Sequence, residues 1–101
     1  MSIASQLSKD GRELTIRVSG RFDFSVHQEF REAYESLAEQ PARFRVDMRE
    51  ACYLDSSALG MLLLLRDHAG GDHADVEIVN CNADVRKILT ISNFEQLFSI
   101  R

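Results

Sequence analysis

RFRVDMREACYLDSSALGMLLLLRDHAGG, residues 43–71, holds two patterns of different period. Apolar side chains alternate with charged ones as far as Met48, which is the period of a strand with one covered face. Residues 58–65, ALGMLLLL, are apolar on every side, which predicts a helix with more than one face to cover. The pair Gly70-Gly71 predicts the end of that helix. A strand therefore leads into a buried helix.

Alternation predicts strands in residues 12–20, 42–48 and 74–80, and more weakly in residues 3–7. Each of the three stronger segments has one apolar side, so the sheet is expected to be covered on one face only. The resulting order of elements predicts an α/β fold with a mixed, mostly parallel sheet of four or five strands and helices packed on one face. A single domain over residues 1–101 is expected, because the chain has no repeat and a single proline.

Two further helices are predicted on either side of the middle one. The first is expected to begin at Ser25, which has capping-box spacing to Gln28, and to end before Pro41. The third is expected to begin near Asn82 and to end around Ser92. The outer apolar face of the middle helix either packs on a neighbouring helix or stays exposed for a partner. Apolar residues near the C-terminus are expected to tether it: Phe94, Leu97, Phe98 and Ile100.

Composition argues against several classes of function. The formal net charge is −4, and we expect no nucleic-acid binding because the chain lacks a basic face. The longest apolar run, residues 61–65, is too short to cross a bilayer, so a cytoplasmic protein without a membrane partner is expected. A chain of 101 residues has little room for a deep pocket, so neither enzyme activity nor a cofactor is expected.

Reactive side chains also lack the spacings that catalysis or metal binding needs. Ser56 is outside any G-x-S-x-G elbow, which argues against a hydrolase. His68 and His73 lie near aspartates in a Gly-rich turn, but their spacing fits no metal motif, so a solvated loop is expected. Cys52 and Cys81 are interpreted as reduced, buried thiols and not as a disulfide.

Asp55, Ser56 and Ser57 stand where the middle helix is predicted to begin. Residues of these types are common helix caps, because their oxygens accept hydrogen bonds from unpaired backbone N–H groups. The same N–H groups and the positive end of the helix dipole would also accommodate a phosphate on a serine. Both interpretations, a structural cap and a modification site, are open at this point.

Three short runs resemble STAS domains of the anti-sigma-factor-antagonist family: VDMR at 46–49, YLDSSALG at 53–60 and GRFD at 20–23. The resemblance extends to the element order and to nearly the whole chain. It implies that Ser56 is phosphorylated by a partner serine kinase that is also the anti-sigma factor, and that a PP2C-type phosphatase removes the phosphate. It also implies that the unphosphorylated form binds the kinase and releases its target regulator, whereas phosphorylation switches binding off.

The resemblance also indicates which residues meet the partner. Asp23 is expected beside Ser56, because both lie at the same end of the sheet. Ala58 replaces a glycine common in the family, and Phe22 replaces a smaller aliphatic residue, so the partner's identity stays open. The alternative is a non-switching STAS subunit of a transporter or sensor assembly, against which the serine at position 56 argues. The predicted partner-binding residues are Asp23, Asp55, Ser56, Ser57, Ala58 and Met61.

Overall fold

A five-stranded sheet in the order β1-β2-β3-β4-β5 organises the computed structural model of the protein, which describes residues 2–101. The first strand pairs antiparallel with the second, and all later neighbours pair in parallel. The predicted mixed, mostly parallel sheet is therefore confirmed, and the weaker candidate at residues 3–7 is a strand. The strands are β1 (Ile3–Leu7), β2 (Glu13–Phe22), β3 (Arg43–Leu54), β4 (Val76–Val79) and β5 (Ser99–Ile100).

Three α-helices connect the parallel strands: α1 (His27–Glu35), α2 (Ser56–His68) and α3 (Ala83–Ile91). Each crossover advances one strand in the same direction, and crossovers of this kind are almost always right-handed, so all three helices lie on one face. Burial agrees, because the apolar sides of the strands are covered while their charged sides are largely open. The core between sheet and helices includes Leu14, Ile16, Val18, Phe30, Val46, Leu62, Leu65, Ile78 and Leu89.

Strand β3 is longer than the alternation predicted, since it continues past Met48 to Leu54. Its buried residues first recur every two positions, up to Met48, and then every three, at Ala51 and Leu54. Two register shifts against β2 explain the change, because each inserts an extra β3 residue into the pairing. The expectation that the strand ends near Met48 was wrong, because a bulge interrupts the alternation of buried and exposed residues by which a strand is recognised in a sequence.

The first helix does not begin with the predicted capping box. A three-residue 3-10 helix, Phe24–Val26, comes first, and its cap is Asp23, whose carboxylate accepts a hydrogen bond from the backbone of Ser25. Gln28 instead bonds Glu32 within the helix at 3.0 Å. Asp23, two residues before the serine, therefore caps the 3-10 helix, and the α-helix begins at His27 without a side-chain cap.

Helix α2 covers part of its apolar surface and exposes the rest. Ala58, Met61, Leu62 and Leu65 are buried, whereas Leu63 and Leu64 are 40% and 52% exposed. Helix α1 packs beside α2, so both predicted arrangements are present on different sides of the same helix.

Two aromatic side chains of the C-terminal segment belong to the core. Phe94 and Phe98 are buried and stacked, with ring centroids 5.4 Å apart, so they tether the C-terminus as expected, although Leu97 is 40% exposed.

Both cysteines are free thiols, as predicted. Cys52, however, is exposed and not buried, because it lies in the bulged part of β3 between the buried Ala51 and Leu54. Cys81 is half-buried.

Candidate functional site

Parallel pairing brings the ends of β2 and β3 to one edge of the sheet. The pairs Arg21 with Tyr53 and Phe22 with Leu54 close this part of the ladder. Asp23 follows β2 and Asp55 follows β3, so the two carboxylates come next to each other in the same register. The predicted proximity of Asp23 to the start of the middle helix rests on this pairing.

Asp55 caps α2. Its carboxylate accepts hydrogen bonds from the backbone N–H of Ala58 at 3.1 Å and from the hydroxyl of Ser57 at 2.6 Å. The Ser57 hydroxyl and the backbone N–H groups of Ser57 and Ala58 lower the pKa of Asp55, although desolvation and the nearby charge of Asp23 act in the opposite direction. Asp55 is therefore a carboxylate at neutral pH and stabilises the first turn of the helix.

Ser56 is the first residue of α2, and its side chain is exposed. The hydroxyl of its neighbour Ser57 donates a hydrogen bond to Asp55. The hydroxyl of Ser56, in contrast, takes part in no side-chain hydrogen bond within residues 2–101. An exposed oxygen of this kind can accept a phosphoryl group from a second protein. The 13-residue helix behind it presents the positive end of its dipole to the resulting anion.

Asp23 is held in a similar way. It accepts hydrogen bonds from the backbone N–H of Ser25 at 3.0 Å and from the hydroxyl of the same residue. The Ser25 hydroxyl is the largest cause of a lowered pKa of Asp23, and the charge of Arg21 acts in the same direction. Asp23 is thus also ionised at neutral pH.

Arg21 and Tyr53 are site residues that the sequence alone did not identify. The Nε atom of Arg21 lies 3.3 Å from the carboxylate of Asp23, and its guanidinium carbon lies 4.1 Å from the centre of the Tyr53 ring. Only the cross-strand register places them together. The available signal was the i, i+2 spacing of Arg21 and Asp23, which puts both side chains on one face of an extended strand.

Two predicted contact residues face the wrong way for a partner. The side chain of Ala58 is fully buried and that of Met61 is 3% exposed, so both belong to the core under α2. Their contact with a partner stays a prediction and would require the start of α2 to move. In contrast, Phe24 is 69% exposed at the same edge of the sheet and stacks on His27, although the sequence did not single it out.

Two clefts of the molecule have no lining residue at the start of α2. One, of about 430 Å³, is lined by Arg17, Val18, Asp47, Arg49 and Glu50 on the open face of the sheet. Another, of about 410 Å³, lies at the opposite edge of the sheet, beside Arg43 and Asp75. The site around Ser56 is therefore an exposed surface, which suits contact with a protein better than enclosure of a small molecule.

No group of three or more potential metal-ligating side chains occurs within residues 2–101. His68, considered as a ligand from the sequence, lies 2.6 Å from the amide oxygen of Gln40 and packs on the Tyr34 ring. Across the same described residues, no helix has both the length and the apolar character required to span a membrane.

Known proteins show similarity to between three quarters and nearly all of this chain. A protein of Pseudomonas aeruginosa (strain UCBPP-PA14), described as a STAS-domain containing protein, is 64% identical over 100 residues, which are 99% of each chain. The structure of an antisigma-factor antagonist STAS domain from Rhodobacter sphaeroides is 34% identical and covers 77% of this chain and 84% of its own, with a TM-score of 0.57.

Two more distant structures share the fold. The unphosphorylated anti-sigma factor antagonist SpoIIAA has a TM-score of 0.75 at 14% identity, over 98% of this chain and 86% of its own. A sulfate transporter family protein from Wolinella succinogenes has the same TM-score and identity, over 90% and 73%. The family model described as "Mlab, STAS domain" matches residues 5–99. This chain therefore belongs to the STAS-domain family.

Proposed function

We propose that this chain is an anti-sigma factor antagonist whose binding to a partner serine kinase is switched off by phosphorylation of Ser56. The observation that carries the proposal is the exposed Ser56 hydroxyl at the capped start of α2, close to two ionised aspartates. The 34% identical STAS domain from Rhodobacter sphaeroides, an antisigma-factor antagonist, also supports a role as an antagonist. In this function the chain acts by binding and not by catalysis.

The outer face of α2 supplies a contact surface for the partner. Residues at i, i+4, i+7 and i+8 share one side of a helix, so Ser56 lies on the same side as three residues that follow it. Two of these are the exposed leucines, and apolar side chains without cover commonly mark protein interfaces. The residues in question are Ser56, Gly60, Leu63 and Leu64.

Phosphorylation acts on this surface by charge and not by refolding. A phosphate adds about −1.5 to −2 charge at neutral pH. The start of α2 can accommodate this anion, whereas a docked partner surface cannot avoid it. One like-charge contact at about 4 Å costs roughly 1 kcal/mol in water-like surroundings and about 4 kcal/mol at an effective dielectric constant near 20. Since each 1.4 kcal/mol is about a factor of ten, affinity should fall about ten- to a thousandfold.

The partner in this cycle is a serine kinase that is also an anti-sigma factor, and the unphosphorylated chain frees its target regulator. A PP2C-type phosphatase restores the hydroxyl, and the cycle runs in the cytoplasm. The alternative, a STAS subunit of a transporter or sensor assembly without a switch, needs no free hydroxyl at position 56.

A capture experiment with three forms of the chain tests the proposal. Wild type and Ser56→Ala should retain a kinase-type partner, Ser56→Asp should lose most of it, and mass spectrometry should map phosphate to Ser56 and not chiefly to Ser57. Ser57→Ala is the matched control, because it removes the neighbouring hydroxyl but leaves the acceptor. Capture of transport components irrespective of the residue at position 56 would favour the alternative, and phosphate chiefly on Ser57 would refute the assigned acceptor.

A further inference from the structure

Asp23 and Asp55 lie close to the proposed acceptor and repel a phosphate placed there, so a cation within reach would add to the stabilisation that the start of α2 gives the anion. Building on the proposed function, we propose that Arg21 is that cation: when Ser56 is phosphorylated, its guanidinium leaves Asp23 and binds the phosphate. Arg21 is then a phosphate-binding residue of the switch and stabilises the phosphorylated form. Asp23 is the group that holds Arg21 while the serine is unmodified.

Arg21 lies within reach of the acceptor. Its Nε atom is 3.3 Å from Asp23, and the register that pairs Phe22 with Leu54 puts Asp23 next to Asp55. The electrostatic influence of Asp23 on the pKa of Asp55 agrees with this proximity. Ser56 follows Asp55 directly, so Asp23 and the acceptor are separated by about one strand spacing, roughly 4.8 Å, and one residue step along the chain, roughly 3.8 Å. A long arginine side chain can cover this distance by rotation.

The present contact of Arg21 is weak enough to exchange. Its side chain is 65% exposed, and within residues 2–101 its only ion pair joins Nε to Asp23. Exposed ion pairs of this kind contribute little. Arginine binds phosphate through two parallel hydrogen bonds, and a phosphate carries more charge than a carboxylate. The phosphate should therefore compete successfully for the guanidinium.

Tyr53 prepares Arg21 for this role. The guanidinium lies over the Tyr53 ring at 4.1 Å, a distance typical of a cation–π contact. The ring is 40% exposed and belongs to the strand that leads into Asp55. This contact keeps the guanidinium at the edge of the sheet where Ser56 lies, and so reduces the conformational freedom that would be lost when phosphate binds.

Several other arginines are committed to contacts elsewhere. Arg31 pairs with Glu35 along α1 at 2.8 Å, and Arg86 bonds the carbonyl of Ile100 at 3.2 Å. Arg66 bonds the carbonyl of Leu97 and pairs with Asp72. Three more form ion pairs with acidic side chains on the open face of the sheet: Arg43, Arg45 and Arg101.

The test measures the second pKa of the phosphate itself. Phosphoserine is incorporated at position 56 of the full chain during translation, and ³¹P NMR follows its titration in the wild-type background, in Arg21→Gln and in Arg31→Gln. A bound cation favours the dianion, so Arg21→Gln should raise this pKa by roughly 0.5 to 1 unit, as expected for loss of a nearby opposite charge. Arg31→Gln, which removes an equal charge from α1, should leave it within about 0.2 units.

Equal values in the wild type and Arg21→Gln, or an equal shift in Arg31→Gln, would overturn the proposal. In Arg21→Lys the second pKa of the phosphate should lie between the values of the wild type and Arg21→Gln, because lysine keeps the charge but loses the paired hydrogen bonds. No kinase is used, so the result is independent of whether a kinase modifies Ser56. A shift in pKa without any cellular phosphorylation would refute the proposed function alone.

Discussion

Two turns of the molecule, residues 22–25 and 54–57, have the same local structure but lead into different helices. Each begins with a buried residue that ends a strand, followed by an aspartate, an exposed residue and a serine. In each, the aspartate accepts a hydrogen bond from the hydroxyl of the serine two positions later. The two turns lie side by side because their strands pair in parallel.

The turns differ in their exposed residue and in the helix that follows. The first presents Phe24 and leads into a three-residue 3-10 helix, after which α1 begins without a side-chain cap. The second presents Ser56 and leads directly into the 13 residues of α2. Aligned peptide dipoles add along a helix, so only the second turn offers a phosphate a full helix N-terminus. The comparison predicts that an aspartate cap alone is not sufficient for an acceptor site.

The largest expected effect comes from making the turns alike. Phe24→Ser creates the order Asp-Ser-Ser in the first turn, and we expect it to receive no phosphate from the cognate kinase because the 3-10 turn lacks the dipole of α2. Ser56→Ala should lose essentially all incorporation, and the double variant should regain none. Intact-mass analysis after incubation with kinase and ATP measures this. Phosphate at position 24 would show that the local order of residues is sufficient.

A middle-sized effect is expected when each cap is removed. Asp55→Ala should lower Tm by about 4 to 8 °C, as for the loss of a helix N-cap in a domain of this size. Asp23→Ala should lower Tm by no more than about half of that, because it caps one short turn, yet it should weaken partner binding or phosphorylation. Thermal unfolding followed by circular dichroism gives the comparison.

The control for these cap variants is Asp67→Ala, which removes an exposed carboxylate from the last turn of the same helix and should leave Tm unchanged or slightly higher. An equal fall in Tm for Asp23→Ala and Asp55→Ala would mean that the two caps are equivalent in stability. Unchanged partner binding and phosphorylation in Asp23→Ala would remove that residue from the site.

The smallest effect concerns acid. Hydrogen bonds from Ser25 and Ser57 lower the pKa values of Asp23 and Asp55 below 3.8. A carboxyl group with a lower pKa in the folded state stabilises the fold above its unfolded pKa, and this contribution disappears as pH falls through the folded value. Tm should therefore fall below about pH 4. Asparagine also caps helices but does not titrate, so Asp55→Asn should keep Tm near neutral pH and fall less steeply in acid. An identical acid profile for wild type and Asp55→Asn would contradict the assignment.

Much of the fold could be predicted from local patterns, and the exceptions have physical causes. Alternation identified the first part of β3, because period two is the direct consequence of side chains pointing to opposite faces of a strand. It missed residues 49–54, because the two bulges change the spacing of buried residues, and bulges depend on the partner strand. The exposure of Cys52 follows from the same bulged segment.

Local sequence likewise identified some residues of the candidate site and missed others. Local sequence was enough to place Asp55, Ser56 and Ser57 at the start of a helix, since capping involves neighbours within a few positions. The resemblance of the surrounding run to STAS domains added the role proposed for Ser56. Local sequence failed for Ser25, because the choice between two possible caps depends on where the preceding strand ends.

Only the tertiary structure brought Arg21 over Tyr53, because the two residues are about thirty positions apart and meet through strand register. It also fixed the register that puts Asp23 next to Asp55, whereas the order of elements alone predicted that Asp23 lies at the same end of the sheet as the start of α2. It also decided that Ala58 and Met61 face the core while Leu63 and Leu64 face outward. A run of residues that is apolar on every side contains no information about which side will be covered. Packing against the sheet and α1 makes that choice, since it depends on the surfaces that other parts of the chain present.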